Sequence, residues 1–410
     1  MSLLQGIRVV ELGLWVAGPA TAGILADWGA EVVKLEMTSG DPMRRLFSAV
    51  YGMDEERCPP FELYNRGKKS LAIDINHEEG LAVVHRLVAT ADVFVTNMRP
   101  KFLARVGLDY ETLLARHPAL VYASLTAYGL EGPDADAPGY DMAAFSGRSG
   151  IAERATPRGT APPVLPGGLG DNVTAVTMVA GIAGALFHRQ RTGQGQLVST
   201  SLLRAGVYSI GMDVSARLGL GRAASPPPRS KPHNPLMNSY RAGDGKWFWL
   251  VGAESQRHWP GTLAALGCAE LEHDPRFSSA RERRKNAEEL VRIFDTQAAT
   301  RTRDEWAAIF AEHDVWWAPI NSIDDIMTDP QVIASGAYAR VPTTPGAPAP
   351  ENFNAVATPL DFSATPSRPL APPPAIGADA DALLESLGLD GEARARLREL
   401  GVLAPPPGAT

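Results

Sequence analysis

Short β-branched runs recur along the first 125 residues with room for one helix between most successive pairs. This rhythm constrains the fold more than any other feature. IRVVEL (7–12), EVVKLE (31–36), SLAIDI (70–75), DVFVT (92–96) and LVYASL (120–125) read as strands. Residues 20–28, 77–90 and 110–116 read as helices, the first opened by Pro19 and closed by Gly29. Strand–helix–strand at this spacing predicts parallel pairing through helical crossovers. The expected fold class is α/β, an open, doubly wound parallel sheet with ligands at the carboxyl ends of its strands.

The pattern then changes. Residues 129–170 are rich in Gly, Pro and charge and read as loop. An apolar helix over 172–189, a turn over 191–196, a strand over 197–200 and a helix over 202–218 follow. AASPPPRSKPHNP (223–235) reads as a hinge. Beyond it, Tyr240 to Val251 around Gly243-Asp-Gly245 reads as a β-hairpin, with helices over 255–267, 281–299 and 303–313. A Pro-rich stretch (342–374) leads to closing helices over 378–387 and 392–400. The expected division is 1–222 (large domain, first part), 223–234 (linker), 235–325 (small α+β domain) and 326–410 (completion of the large domain).

A 45% hydrophobic content is enough for large cores, and a net charge of −7 argues against a general nucleic-acid binder. Cys58 and Cys268 stand far apart and suggest neither a disulfide framework nor a zinc site. The apolar N-terminus carries Arg8 and Glu11 and reads as a strand rather than a signal peptide. No uninterrupted apolar run approaches the ~20 residues of a membrane helix. A soluble, cytoplasmic protein is expected, with neither nucleic acid nor membrane as partner.

The dinucleotide fingerprint GxGxxG, the P-loop, HExxH and GxSxG are all absent from the sequence. The eight histidines show no metal spacing, so no metal site is expected. Pro166-Gly-Gly-Leu-Gly-Asp171 delivers a carboxylate at the start of the long apolar helix. Asp171 reads either as that helix's N-cap or as a carboxylate facing a substrate, with free first-turn amides holding an oxyanion. Local pattern does not choose between them. Arg66, Lys68 and Lys69 before one strand, and Arg99, Lys101 and Arg105 after another, could reach one anionic ligand; the plainer reading is a solvated face. Asp41, Asp74 and Asp141 read as caps or turns.

The opening LxGIRVVELGxxVAGPxxxxxLADxGAEVVKLE, followed by Gly40-Asp-Pro42, resembles the class III coenzyme A transferases, the CaiB/BaiF family. YNRGKKSLAIDI, ADVFVTNMRP, LARVGLDYETL and GLGD with the later RTGQGQ extend the resemblance over nearly the whole chain. It implies a large Rossmann-like domain from both chain ends, a small domain inserted between them and an interlocked homodimer. It also implies a CoA thioester as substrate, with no tightly bound cofactor. Carried over by position, Asp171 is the catalytic aspartate. Lys68, Asn97, Met98, Arg99 and Arg105 hold the coenzyme, and Val16 and Ala17 line its thioester end. Tyr140, Gly168 and Gly170 border the acyl site, and Glu254 and His258 lie where the small domain faces it. Val16 and Met37 stand where the formyl-CoA branch has glutamine and arginine, so that branch's substrates are not expected.

The implied reaction moves CoA from an acyl-CoA to a free carboxylic acid through an aspartyl covalent intermediate. The runner-up, an α-methylacyl-CoA racemase, needs an acid/base pair at the α-carbon. The racemase branch resembles this chain but has histidine where Tyr140 stands, and tyrosine with a pKa of ~10 is a poor neutral-pH base. A non-catalytic acyl-CoA binder would keep the basic crevice without needing Asp171.

Overall fold

The computed structural model describes residues 2–52, 57–222, 226–342, 352–367 and 371–406. Parts of the expected linker (223–225) and of the Pro-rich stretch (343–351 and 368–370) lie outside the described residues. Two compact units form. One comprises Met1–Ala152, Val164–Gly219 and Gly336–Thr410; the other comprises Glu153–Pro163 and Leu220–Ser335.

In the first unit the strands are β1 (Arg8–Leu12), β2 (Glu31–Glu36), β3 (Lys69–Ala72), β4 (Val93–Thr96), β5 (Val121–Thr126) and β6 (Leu197–Ser201). They form one sheet in the order β3-β2-β1-β4-β5-β6, every pair parallel. The helices that matter here are α1 (Ala17–Asp27), α2 (Pro59–Asn65), α3 (Glu78–Val88), α4 (Pro100–Arg105), α5 (Tyr110–Arg116), α6 (Leu169–Thr192) and α7 (Leu202–Ser209). Side chains alternate across the pleat. Val10, Leu12, Val33, Leu35, Phe94 and Tyr122 pack with α3, α4, α5 and the C-terminal helix Ala380–Ser386. On the opposite face Val9, Val32, Val93, Val95 and Val121 pack with α1 and α6.

Helix α6 departs from expectation. By length and composition it is long and apolar enough to cross a membrane. Its apolar face has a structural use, because Thr174, Ala175, Met178, Val179, Ile182 and Ala185 are buried at helical spacing and α6 packs on α1, β5 and β6. The loop expected over 129–170 also holds structure, since Met142–Arg148 forms a π-helical segment. Such segments recur at functional sites.

Charge sits inside this sheet. Glu11 and Lys34 are register partners on adjacent strands and are fully buried. Lys34 Nζ contacts Glu11 Oε1 at 3.0 Å and Asp41 Oδ2 at 2.9 Å. Lys68 Nζ donates to Glu11 Oε2 (2.6 Å), the Pro19 carbonyl (2.9 Å) and Asn65 Oδ1 (3.0 Å). Burial alone would raise the Glu11 carboxyl, but the two ammonium groups together hold it below the ordinary range. Burial pushes Lys68 down to about 8 despite the attraction of Glu11.

The second unit pairs Met237–Arg241 with Trp247–Val251 in the expected hairpin, and Trp317–Ile320 adds antiparallel to it. Tyr240, Phe248, Trp259, Phe294, Trp306 and Phe310 form its core.

Candidate active site

From β1 the chain steps to β2 on one side, while β4 lies on the other. The loops after β1 and β4 therefore diverge, and a crevice opens at that switch point. A pocket of about 400 Å³ occupies it, lined by Leu14–Ala17, Asn97–Pro100, Leu125–Ala127, Tyr140, Asp171 and Leu202 among others.

The loop after β1 is held from several sides. Asn97 accepts from Leu14 N–H through Oδ1 (3.0 Å) and donates through Nδ2 to the Leu14 carbonyl (2.8 Å). Lys34 donates to the Gly13 carbonyl (3.0 Å), and Asp41 accepts from Trp15 N–H (3.3 Å). Trp15 is thereby kept at φ 65°, a left-handed conformation costly for a bulky residue. Its ring meets Tyr140 edge-on, with centroids 6.2 Å apart. The buried ion cluster thus shapes one wall of the pocket.

Asp171 does not cap its helix. Gly168, at φ 78°, is the N-cap, and Asp171 is the third residue of α6. Capping comes from Asp141, which is buried beside the π-helical segment and accepts from Gly170 N–H through Oδ2 at 3.1 Å. The nearby amides of Gly168 and Asp171 also favour the ionised form of that carboxyl, less than Gly170 does. Leu169 N–H goes to the Pro166 carbonyl and Asn172 N–H to that of Gly168. The N–H groups of Leu169, Gly170 and Asn172, among the first-turn amides that one reading left free for an oxyanion, are thus engaged within the fold.

Only glycine fits at position 170: a Cβ there would lie 2.1 Å from Phe145 Cγ and 2.5 Å from Asp141 Oδ1. Gly170→Ala is expected to displace the start of α6, destabilise the fold by about 1–3 kcal/mol and lower activity through misplacement of Asp171. Thermal unfolding and initial rates check this.

Burial, and then the negative charge of Asp141, push the Asp171 carboxyl up to about 7. Asp141 itself is raised by burial, with the three amides opposing. Tyr64 of α2 stands nearby, its phenol raised by burial and by both carboxylates and lowered by a hydrogen bond with Asn172.

Of the residues expected from the sequence, Val16, Ala17, Asn97, Met98, Arg99, Tyr140 and Asp171 all line this pocket. Arg99 is exposed; its carbonyl accepts from Phe102 and Leu103 N–H, while its guanidinium makes no hydrogen bond or close ion pair among the described residues and acts only at longer range on Asp136, so its charge is available to a ligand. Gly170 backs the site and Gly168 starts its helix; neither lines the pocket. Lys68 is not brought there, because its ammonium is buried and its three hydrogen bonds are made within the fold. Arg66 and Lys69 are likewise paired, with Asp27 and Glu31. Arg105 lies over Phe102 and reaches Asn76, outside the lining. In the second unit Glu254 pairs with Arg257 at the surface and His258 packs on Trp316. Trp15 carried no sequence signal, and the cap expected at Asp141 serves not its own neighbourhood but the distant start of α6. No group of His, Cys, Asp and Glu able to hold a metal ion occurs among the described residues.

Fold and site define an α/β enzyme with a desolvated carboxylate at the switch-point crevice of a six-stranded parallel sheet. The profile of CoA-transferase family III matches residues 4–380. The chain is 32% identical over 395 residues to (R)-2-hydroxy-4-methylpentanoate CoA-transferase of Clostridioides difficile, covering 95% of this chain and 96% of that one. It is 34% identical over 337 residues to cinnamoyl-CoA:phenyllactate CoA-transferase of Clostridium sporogenes, covering 82% of each. A CaiB/BaiF family protein of Brucella suis has a similar crystal structure, with a TM-score of 0.81 and 30% identity over 94% of this chain and 99% of that one. The chain belongs to CoA-transferase family III, the class III CoA-transferases, whose substrates are CoA thioesters.

Proposed function

We propose that this enzyme moves CoA from an acyl-CoA to a free carboxylic acid through covalent acylation of Asp171. The observation that carries the reading is a lone pocket-lining aspartate whose ionised form is weakened by burial. A carboxylate raised to about 7 is more basic than an ordinary one, and so a better nucleophile once ionised. Asp171 Oδ attacks the thioester carbonyl, the C–S bond breaks and its electron pair leaves as CoA thiolate. The thiolate then attacks the Asp171 carbonyl of the mixed anhydride, expelling the donor acid and leaving an aspartyl-CoA thioester. The acceptor carboxylate attacks that thioester, and the thiolate it releases takes the new acyl group from the second anhydride. Asp171 is regenerated with no net proton uptake.

The pocket suits the thioester end of the substrate, with Arg99 available to the anionic coenzyme and Val16, Trp15 and Tyr140 beside the acyl group. Racemisation needs a second acid/base group across the α-carbon, and Tyr140 stands where that branch has histidine. The homodimer implied by the resemblance belongs to the same proposal. Exposed Val173, Val176 and Phe187 on α6, and Tyr208 on α7, give a second copy an apolar face to cover.

The test mixes an acyl-CoA donor with an isotopically labelled free carboxylate and reads products by mass spectrometry. Labelled acyl-CoA is expected to accumulate without net loss of thioester. The initial rate should be low where Asp171 is protonated, rise with pH through about 7 and level off above it. Absence of labelled thioester, with solvent deuterium entering the α-carbon instead, would contradict the proposal.

A further inference from the structure

The mechanism uses Asp171 and leaves its neighbour Asp141 unexplained. Asp141 is only 8% exposed, and its Oδ1 is a buried oxygen without a hydrogen-bond partner among the described residues. Its other oxygen takes Gly170 N–H, one residue before Asp171. Gly170 has no side chain to separate the two, and the Cβ it lacks would sit 2.5 Å from Asp141 Oδ1. No arginine or lysine is paired with Asp141 among the described residues, although a buried carboxylate is ordinarily paired. The groups around the two carboxylates are Tyr64 of α2, Asn172 on the next position of α6, Tyr140 beside Asp141 and Arg99 across the pocket. Only Arg99 among these is cationic, and it is exposed.

An unpaired, buried negative charge beside a reacting carboxylate has a definite effect on covalent chemistry. Free ionised Asp171 is repelled by it, whereas the anhydride and thioester forms of Asp171 are neutral and are not. The neighbour therefore lowers the free energy of the acylated enzyme relative to the free one, while its hydrogen bond to Gly170 fixes the backbone from which Asp171 projects.

We infer that Asp141 is a positioning residue whose retained charge favours the acylated state of Asp171. It holds the first turn of α6 and disfavours the ionised nucleophile against its covalent products. This rests on the acylation reading above. The step itself is unchanged: the Asp171 Oδ–acyl bond forms, the C–S bond breaks and sulfur takes the electron pair.

The experiment compares the parent chain with Asp141→Asn and Asp141→Glu. Single-turnover acylation by an acyl-CoA donor is followed from pH 5 to 9, reading CoA thiol release and the acyl adduct by intact-mass spectrometry. In Asp141→Asn the pH midpoint of acylation is expected to fall by about one unit, and the adduct fraction at pH 8 by about tenfold, since one unit corresponds to a factor of ten. Asp141→Glu, which restores the charge, should bring both back toward the parent. A merely structural role would slow all rates without moving the midpoint. Both variants are checked by circular dichroism and by binding of free CoA. On the unmodified chain, infrared spectroscopy with labelled aspartate should show two carboxyls titrating above the ordinary range, with Asp141 titrating lower once Asp171 is acylated. The inference is overturned if folded, CoA-binding Asp141→Asn keeps the parent midpoint, or if acylation leaves the Asp141 band unmoved. If the parent chain forms no adduct at all, it is the acylation reading that fails.

Discussion

Asp171→Ala is expected to abolish CoA exchange, lowering the rate by about 10⁴-fold or more, while affinity for free CoA changes little. Removing a covalent nucleophile removes the route itself and leaves only uncatalysed chemistry in a binding site. The loop residues around Asn97 and Arg99 that line the rest of the pocket remain in place, so binding survives. Isothermal titration with CoA and an exchange assay separate the two effects. Asp171→Asn carries a second expectation about stability. In the folded chain the carboxyl titrates at about 7, above its unfolded value near 4. The native state therefore holds an extra proton between those values, and its stability declines as pH rises through that window. The asparagine variant has no such proton to lose, so the decline that Asp171 contributes between pH 4 and pH 7 should be absent from the variant and should appear as the difference between parent and variant.

Glu11→Ala is expected to destabilise the first unit by about 3–5 kcal/mol, the loss typical when one partner of a buried ion pair is removed. Glu11 touches both Lys34 and Lys68, and all three side chains are fully buried. Its removal leaves two ammonium groups facing a cavity, with only Asp41 as a remaining carboxylate partner for Lys34. Lys69→Ala, by contrast, removes one side of an exposed pair with Glu31 and should cost at most about 0.5 kcal/mol. Chemical denaturation of the two variants side by side checks the ranking. Because Lys34 also holds the Gly13 carbonyl, Glu11→Ala should disturb the Trp15 wall and raise KM for the acyl-CoA.

The sheet was legible because strand and helix periods are local properties. The run read over 31–36 is β2 to the residue, and the helix over 110–116 is α5. Places where tertiary contacts decide were harder to read. The helix expected over 202–218 divides at Ile210, and the one over 281–299 divides at Asn286. The site was legible where a loop follows a strand directly: Val16, Ala17, Asn97, Met98 and Arg99 reach the pocket because β1 and β4 end there. Lys68 misled because its sequence neighbourhood is basic and turn-like, while its partner Glu11 stands 57 residues away on β1. Asp141 reads locally as a cap, and it is one, but of a helix starting 28 residues later. A Glu and a Lys at matching positions in two apolar strands were the available sign of the buried pair.

In the proposed cycle the acyl portion of the substrate becomes joined to one side chain. Quenching the enzyme during turnover with an acyl-CoA, trapping with hydroxylamine or borohydride and mapping peptides by mass spectrometry tests it directly. A modification confined to Asp171 is the predicted result. An unmodified Asp171 with a label at another residue, or exchange proceeding with no covalent species, would contradict the account.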